Sequence, residues 1–178
     1  MRSAAEIANY FISKGVDEGK PLSHLKLQKL LYVAYGWYYA QYNERLFNEV
    51  LQAWKYGPVV ASVYHALKHH GDMPIEHEIQ EEDEDRPGYY HTPTLNYHRD
   101  ATLIRFLDDI WVGYSHFSAI QLTNYSHLPG TPWNKLVKSL GGQIPMYMDL
   151  GDEEVRSYFS AEKERIGNFN PGKVTASE

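Results

Sequence analysis

Histidine is the residue type in this chain that is best suited to hold a metal, because the sequence has nine histidines and no cysteine. His65 and His69 lie four positions apart on a predicted helix, which places both imidazoles on one face. Together with His127 they could form the site of a metal-dependent enzyme. However, the chain has no HExxH motif, and the helix dipole also favours histidine at the C-terminal end of a helix. We therefore expect the second role, with no metal and no cofactor.

Other residue patterns that support catalysis are missing from the sequence. No GxSxG, GxxxxGK[ST] or GxGxxG occurs, which leaves no nucleophile elbow and no phosphate-binding loop. Ser115, Ser118 and Ser126 lie near histidines, but their positions fit helix caps and turns. The acidic run at residues 81–85 lacks the alternating ligands and central glycine of an EF-hand calcium loop. We therefore expect a binding protein and not an enzyme.

Lysines close to tyrosines offer a third kind of site, one for nucleic acid. Lys26, Lys29 and Lys55 would be its cations, but each is predicted on the polar face of a helix or a strand. The net charge of −6 and the isoelectric point near 5.8 also give no basic field over the molecule. We therefore expect solvated lysines, and nucleic acid is not favoured as a partner.

The strongest helix signal lies in SHLKLQKLLYVAYGWYYAQY, which begins at Ser23. Its apolar residues repeat at helical spacing, namely Leu27, Leu30, Leu31, Ala34 and Tyr38. Further tyrosines make the segment apolar over much of its girth. We predict that it forms the central helix of the core.

A β segment is predicted directly after this helix. Residues 46–56 are rich in β-forming types, which favours a short hairpin or two isolated strands. Gly57 and Pro58 would end it, since proline suits the first position of a helix. That helix would bury Val59, Val63 and Leu67. We therefore expect Gly57→Val to damage folding before it damages any specific contact.

The remaining helices are predicted from their starts. Capping boxes lie at Ser3 and Ser118, Thr131 is a cap followed by proline, and Asp152 begins a last helix. Gly15 would end the first helix. Residues 73–79 could be a strand, but the run of five acids makes residues 72–94 a mobile surface loop.

The expected fold is mainly α: a single compact helical domain of about six or seven helices with a small β-hairpin or short strands. It would cover residues 1–165, followed by a flexible C-terminal tail at residues 166–178. The N-terminus does not read as a signal peptide, and no apolar run approaches the roughly 20 residues of a membrane helix. The lack of cysteine fits a reducing compartment. We expect a cytoplasmic protein with no membrane partner.

Three stretches resemble one known family when they are taken together. They are LKLQKLLYVAYGWYYAQYNERLF at residues 25–47, AWKYGPVVASVYHALKHHG at 53–71, and SAIQLTNYSHLPGTPW at 118–133. In this order they resemble the antitoxin SocA-like, or Panacea, domain. The resemblance covers about residues 5–160, although residues 72–94 match nothing in it.

The resemblance implies function by protein contact. Such proteins act as antitoxins in type II toxin–antitoxin systems, often of phages and prophages, and they bind toxins that stop translation or transfer nucleotides. Some relatives instead deliver the toxin to a Clp-type protease, which is the alternative here. The matching positions, structural or interacting, are Lys26, Leu27, Gln28, Lys29, Tyr32, Trp54, Lys55, Tyr56, Gly57, Pro58, Val59, His127, Gly130, Pro132 and Trp133. We place the toxin contact elsewhere, at Glu81, Glu82, Asp83, Glu84, Asp85, Tyr89 and Tyr90.

Overall fold

A computed structural model describes residues 2–145, 147–167, 169 and 170 of this chain. This part of the chain forms seven α-helices that pack together, and short antiparallel strands lie between them in sequence. The helices are α1 (Ala4–Asp17), α2 (His24–Tyr42), α3 (Ala61–Leu67), α4 (Ala101–Tyr114), α5 (Ala119–His127), α6 (Pro132–Ser139) and α7 (Asp152–Ile166). The strands are β1 (Leu51–Trp54), β2 (Gly57–Val60), β3 (Glu81–Glu82), β4 (Tyr90–His91) and β5 (Met148–Asp149). The prediction of a mainly α fold with a small β element is confirmed.

The central position predicted for α2 is confirmed. Ser23 caps its N-terminus and accepts a hydrogen bond from the Lys26 amide, and Asn43 caps its C-terminus in the left-handed conformation. The helix contacts α1, α3, α4, α5, α7 and β2. Because neighbours cover it on all sides, its apolar residues are buried around the whole circumference.

The other predicted helix starts also agree with the structure. Ser3 with Glu6 and Ser118 with Gln121 form complete capping boxes. Thr131 caps α6 and Pro132 occupies its first turn. Gly15, however, does not end α1, because that helix continues to Asp17. None of the helices in the described residues is both long and apolar enough to cross a bilayer.

The β element differs from its prediction in one respect that matters for the site. Gly57 and Pro58 lie inside β2, and α3 begins only at Ala61, so the prediction that Pro58 starts the helix was wrong. Pro58 is tolerated because β2 is an edge strand of the sheet β2-β1-β5, where a missing N–H breaks no ladder bond. Residues 46–49 form no strand, and β1 pairs with β2 from Leu51 onward.

The region from residue 72 to 94 is only partly a loop. Residues 81–92 lie at the surface as predicted, but Ile75 and Ile79 are buried in the core, so part of the predicted surface loop was wrong. β3 and β4 also pair as a small antiparallel hairpin, with Glu82 opposite Tyr90. The strand predicted at residues 73–79 is reduced to a single bridge between Ile75 and Leu22. Of the predicted tail, residues 168 and 171–178 lie outside the described residues. Phe169, by contrast, packs against Trp37 and Tyr114.

Candidate functional site

Side chains from α2 take the place of a neighbouring strand along the free edge of β2. In an antiparallel pair, alternate residues turn their backbone groups away from the partner strand, and here Pro58 and Val60 face α2. The Gln28 side chain accepts from the Val60 amide at 2.8 Å and donates to its carbonyl at 3.4 Å. The Lys29 ammonium donates to the Pro58 carbonyl at 2.9 Å. The "KLQKLLY" helix therefore closes the sheet edge carried by the "YGPV" segment.

The prediction that Lys29 is solvated was wrong, because the side chain is 0% exposed. Burial lowers the pKa of its ammonium to about 7. The sequence contained a signal for this burial, because a helix that is apolar around most of its circumference has no solvent-facing side for a lysine. Lys26 is half-buried, and its Nζ donates to the Ser115 carbonyl at 2.5 Å. Lys55 is exposed, as predicted.

Gly57 lies where the three family-like segments meet. Its φ of +97° is in the left-handed region, which favours glycine. A Cβ at this position would lie 2.6 Å from Ser126 Oγ and 2.8 Å from Lys29 Nζ. It would also lie 3.3 Å from His127 Nε2. Glycine is thus required both by the backbone conformation and by the closeness of two other segments.

The segment between α5 and α6 is fixed to the hairpin by aromatic contacts. The His127 ring stacks on Trp133, with ring centroids 3.7 Å apart and an angle of 14°. Trp133 Nε1 donates to the Trp54 carbonyl at 2.8 Å. The Thr131 hydroxyl donates to the Ser126 carbonyl at 2.8 Å. These contacts explain the order of residues in "SHLPGTPW". Thr131 caps α6, Pro132 occupies its first turn, and the Trp133 indole reaches the hairpin.

We call Gln28, Lys29, Gly57, Ser126 and His127 the Gly57 cluster. Its surroundings favour the neutral forms of the titratable side chains. Burial lowers the pKa of the His127 imidazole, and the nearby Lys29 lowers it further. The Ser126 hydroxyl donates to the Thr123 carbonyl at 2.8 Å, so its proton is directed to the backbone of α5. His127 Nε2 is buried and has no hydrogen-bond partner among the described residues. The bonds of Gln28 and Lys29 join α2 to β2, whereas the bond of Ser126 stays within α5.

The remaining matching positions divide between core and turn. Leu27 and Tyr32 are fully buried, and Val59 and Pro132 are also buried. Tyr56, in contrast, is 60% exposed in the turn between β1 and β2. Gly130 has a φ of +89°, which suits the turn before α6.

The histidines considered for a metal site are not brought together. His65 is on α3, with its ring against Trp54, whereas His69 follows in a 3-10 turn and packs on His70. His127 lies on Trp133 instead. Within the part of the chain that the structure describes, no group of three or more metal-binding side chains occurs.

The acidic hairpin, residues 81–91 with β3 and β4, holds its shape mainly through its own polar groups. The Asp83 carboxylate accepts two bonds from the Arg86 guanidinium, at 2.8 and 2.6 Å. The Glu82 carboxylate accepts from the Gly88 amide at 2.7 Å. Tyr89 and Tyr90 are 66% and 62% exposed. The hairpin therefore presents carboxylates and two phenol rings to solvent on an ordered turn.

Comparison with known proteins gives two matches. A family model described as "Antitoxin SocA-like, Panacea domain" matches residues 27–134. The chain is also 28% identical over 163 residues to the protein named Antitoxin SocA from Caulobacter vibrioides (strain NA1000 / CB15N). That alignment covers 92% of this chain and 85% of the relative. No solved structure was found to match.

Proposed function

This chain belongs to the antitoxin SocA-like, Panacea domain family, and we propose from that premise that it is the antitoxin of a type II toxin–antitoxin pair. It neutralises a cognate toxin by direct binding, and the toxin is one that inhibits translation or transfers nucleotides. The observation that carries this proposal is the family match over residues 27–134, which includes most of the first segment and all of the other two segments that meet at Gly57.

The Gly57 cluster supports a division of labour within this function. Lys29 and Gln28 use their polar groups to bond the hairpin backbone. They are poor candidates for contact with a partner, because both side chains are buried. The toxin is bound by exposed residues.

The acidic hairpin is the surface we assign to the toxin. Tyrosines are effective anchors in interfaces because they bury a large area and lose little conformational entropy. Tyr89 and Tyr90 provide two such rings, and the surrounding carboxylates provide negative charge. A toxin that holds nucleotide or tRNA with lysines and arginines would be attracted to this charge.

Co-expression with the toxin encoded beside this gene tests the proposal. The toxin alone should stop growth, and this chain should restore growth and co-purify with the toxin. Failure of both rescue and co-purification would overturn the proposal. Growth that is restored only in cells with a Clp-type protease, together with loss of the toxin, would instead favour delivery to the protease.

Stoichiometry separates binding from catalysis. We propose that this chain is not an enzyme, so purified toxin should lose activity in proportion to the antitoxin added and should reach full inhibition at a fixed molar ratio. Inhibition by a small fraction of one equivalent, increasing with time, would contradict this part of the proposal.

A further inference from the structure

A cavity of about 570 Å³ lies beside the Gly57 cluster and is not explained by the proposed function. It is bounded by the end of β1, by α6, and by residues 142–145 and Tyr147 of the chain that follows α6. Its walls are mostly apolar and include two indoles and a phenol, and the lining residues that matter here are Trp54, Lys55, Trp133, Val137, Ile144 and Tyr147. The volume falls within the range of about 300 to 1,000 Å³ that is usual for small-molecule sites.

The Trp133 wall of the cavity is held in place without any ligand. One face of its indole is covered by His127, and its N–H is bonded to the Trp54 carbonyl. The Trp133 side chain is therefore fixed in orientation, and its indole N–H already has an acceptor. An aromatic surface fixed in this way can stack with a flat ring at little entropic cost.

Lys55 adds a positive charge at the rim of the cavity. Its side chain is exposed, and its Nζ lies 5.3 Å from the centre of the Tyr56 ring. No carboxylate among the described residues forms an ion pair with it. In a chain of net charge −6, an exposed ammonium that has no ion-pair partner among the described residues is suited to an anion.

Tyr147 is a second, independent sign of a ligand site. It has a φ of +60°, a left-handed conformation that costs an aromatic residue about 1 to 3 kcal/mol and that is often found at ligand clamps. The ring lines the cavity, is 60% exposed and contacts no other aromatic ring of the described residues. The backbone thus holds an unpaired phenol at the mouth of the cavity.

We propose that this cavity binds a small, planar aromatic molecule that carries an anionic group. The flat ring lies against Trp133 and Tyr147, and the anionic group lies at the Lys55 ammonium. The site requires nothing of the toxin, so it goes beyond the proposed function.

Naphthalene-2-sulfonate is the probe for this site, and neutral naphthalene-2-sulfonamide is its matched control. Titrations of the purified full chain are followed by calorimetry and by ligand-observed NMR at low salt. The sulfonate should bind, and Lys55→Gln should weaken it about threefold to fivefold, as expected for an exposed ion pair. The sulfonamide should bind more weakly and should be insensitive to Lys55→Gln.

Two further variants locate the bound probe. Val137→Trp fills the cavity from the half-buried side of α6 and should abolish binding, while circular dichroism verifies that the variant is folded. Lys68→Gln removes another exposed lysine, outside the cavity, and should leave binding unchanged. Undetectable binding of the sulfonate at millimolar concentration, or binding that survives Val137→Trp, would overturn the site. Equal binding of both probes would overturn the anionic class of ligand. Because no toxin is present, none of these failures bears on neutralisation.

Discussion

The molecule has two β-hairpins, and they use charge in opposite ways. In the β1–β2 hairpin, the free edge is closed by Gln28 and by buried Lys29, where burial lowers the pKa of the lysine to about 7 and so disfavours its charge. In the acidic hairpin, every residue of β3 and β4 is exposed, and four of the five acidic residues at 81–85 are exposed. The first hairpin depends on distant parts of the chain, whereas the second is held mainly by bonds within its own turn.

This difference gives a physical reason to place the proposed contact surface away from the family-like motifs. A glycine, a buried lysine and an indole that must meet at one point leave little freedom for substitution without loss of stability. A solvated hairpin can change its side chains at small cost to the fold, as recognition of a particular toxin requires. Substitutions in the first hairpin should therefore act on stability, and those in the second should act on binding.

The largest effect is expected from Gly57→Ala. The new Cβ would lie 2.6 Å from Ser126 Oγ at a φ of +97°, so both a clash and backbone strain oppose it. We expect a loss of about 3 kcal/mol or more in the free energy of unfolding, measured by urea denaturation. Gly130→Ala is the matched control, because its φ is +89° and nothing lies within 4 Å of the new atom. It should cost about 1 kcal/mol. Equal losses in the two variants would show that the meeting point at Gly57 is not tightly packed.

Lys29 should make stability depend on pH. Burial lowers the pKa of its ammonium from 10.5 to about 7 in the folded chain, so between these values the unfolded chain binds a proton that the folded chain lacks. Stability should consequently rise with pH in this window, and the lysine alone contributes about 3 kcal/mol between pH 7 and 9.5. The measurement stops there because buried Tyr32 and Tyr125, whose pKa values are raised by burial, reverse the trend at higher pH.

Lys29→Met tests the origin of this slope. The variant should lose the rise between pH 7 and 9.5, although it also leaves the Pro58 carbonyl without its donor, at a cost of about 1 to 2 kcal/mol at every pH. Lys55→Met makes the same change on the surface and should keep the pH dependence of the unaltered chain. If Lys29→Met retains the slope, the lysine is solvated and the comparison of the two hairpins fails.

A smaller effect is expected from Trp133→Phe. The change removes the hydrogen bond from Nε1 to the Trp54 carbonyl and part of the stack on His127. We expect a loss of about 1 to 2 kcal/mol in thermal or urea unfolding. Trp54→Phe removes the same type of donor, which here bonds to Gln52 within β1, and should cost about 0.5 kcal/mol. If the two losses were equal, the indole of Trp133 would not be joining α6 to the hairpin.

Much of the helical fold could be predicted from the sequence because the signals are local. Caps such as Ser3, Ser23 and Thr131 satisfy amides within three residues of themselves, so their effect is visible in the sequence. The apolar positions of α2 likewise follow the helical period. The acids in residues 81–85 were placed on the surface by their charge alone.

The predictions that were wrong depend on contacts that are distant in the sequence. Pro58 was assigned to a helix because its local preference fits a first turn, but pairing with Ala53 keeps it in a strand. Lys29 was assigned to solvent by its type, whereas its partner, the Pro58 carbonyl, lies 29 residues away. Neither the cavity nor the φ of Tyr147 has a local signal in the sequence.

The smallest effect on stability, and the largest on recognition, is expected at the tip of the acidic hairpin. The double change Glu84→Lys and Asp85→Lys alters two exposed carboxylates whose oxygens accept no hydrogen bond from the described residues, so the free energy of unfolding should change by less than about 0.5 kcal/mol. Association with a basic toxin should slow about tenfold at low salt, measured by surface plasmon resonance, and the difference should shrink as salt is raised.

The control for this variant must distinguish the loss of a local contact with the toxin from the effect of the changed net charge on association. Asp72→Lys with Glu76→Lys changes the charge of the chain by the same amount at two exposed acids outside the acidic hairpin. If the hairpin touches the toxin, only the hairpin variant should also dissociate faster and fail to restore growth, because dissociation reports on groups in contact. Equal slowing in both variants would mean that the toxin senses the field of the whole molecule. Unchanged binding in both would remove the acidic hairpin from the interface, while leaving the buried role of the β1–β2 hairpin as it is.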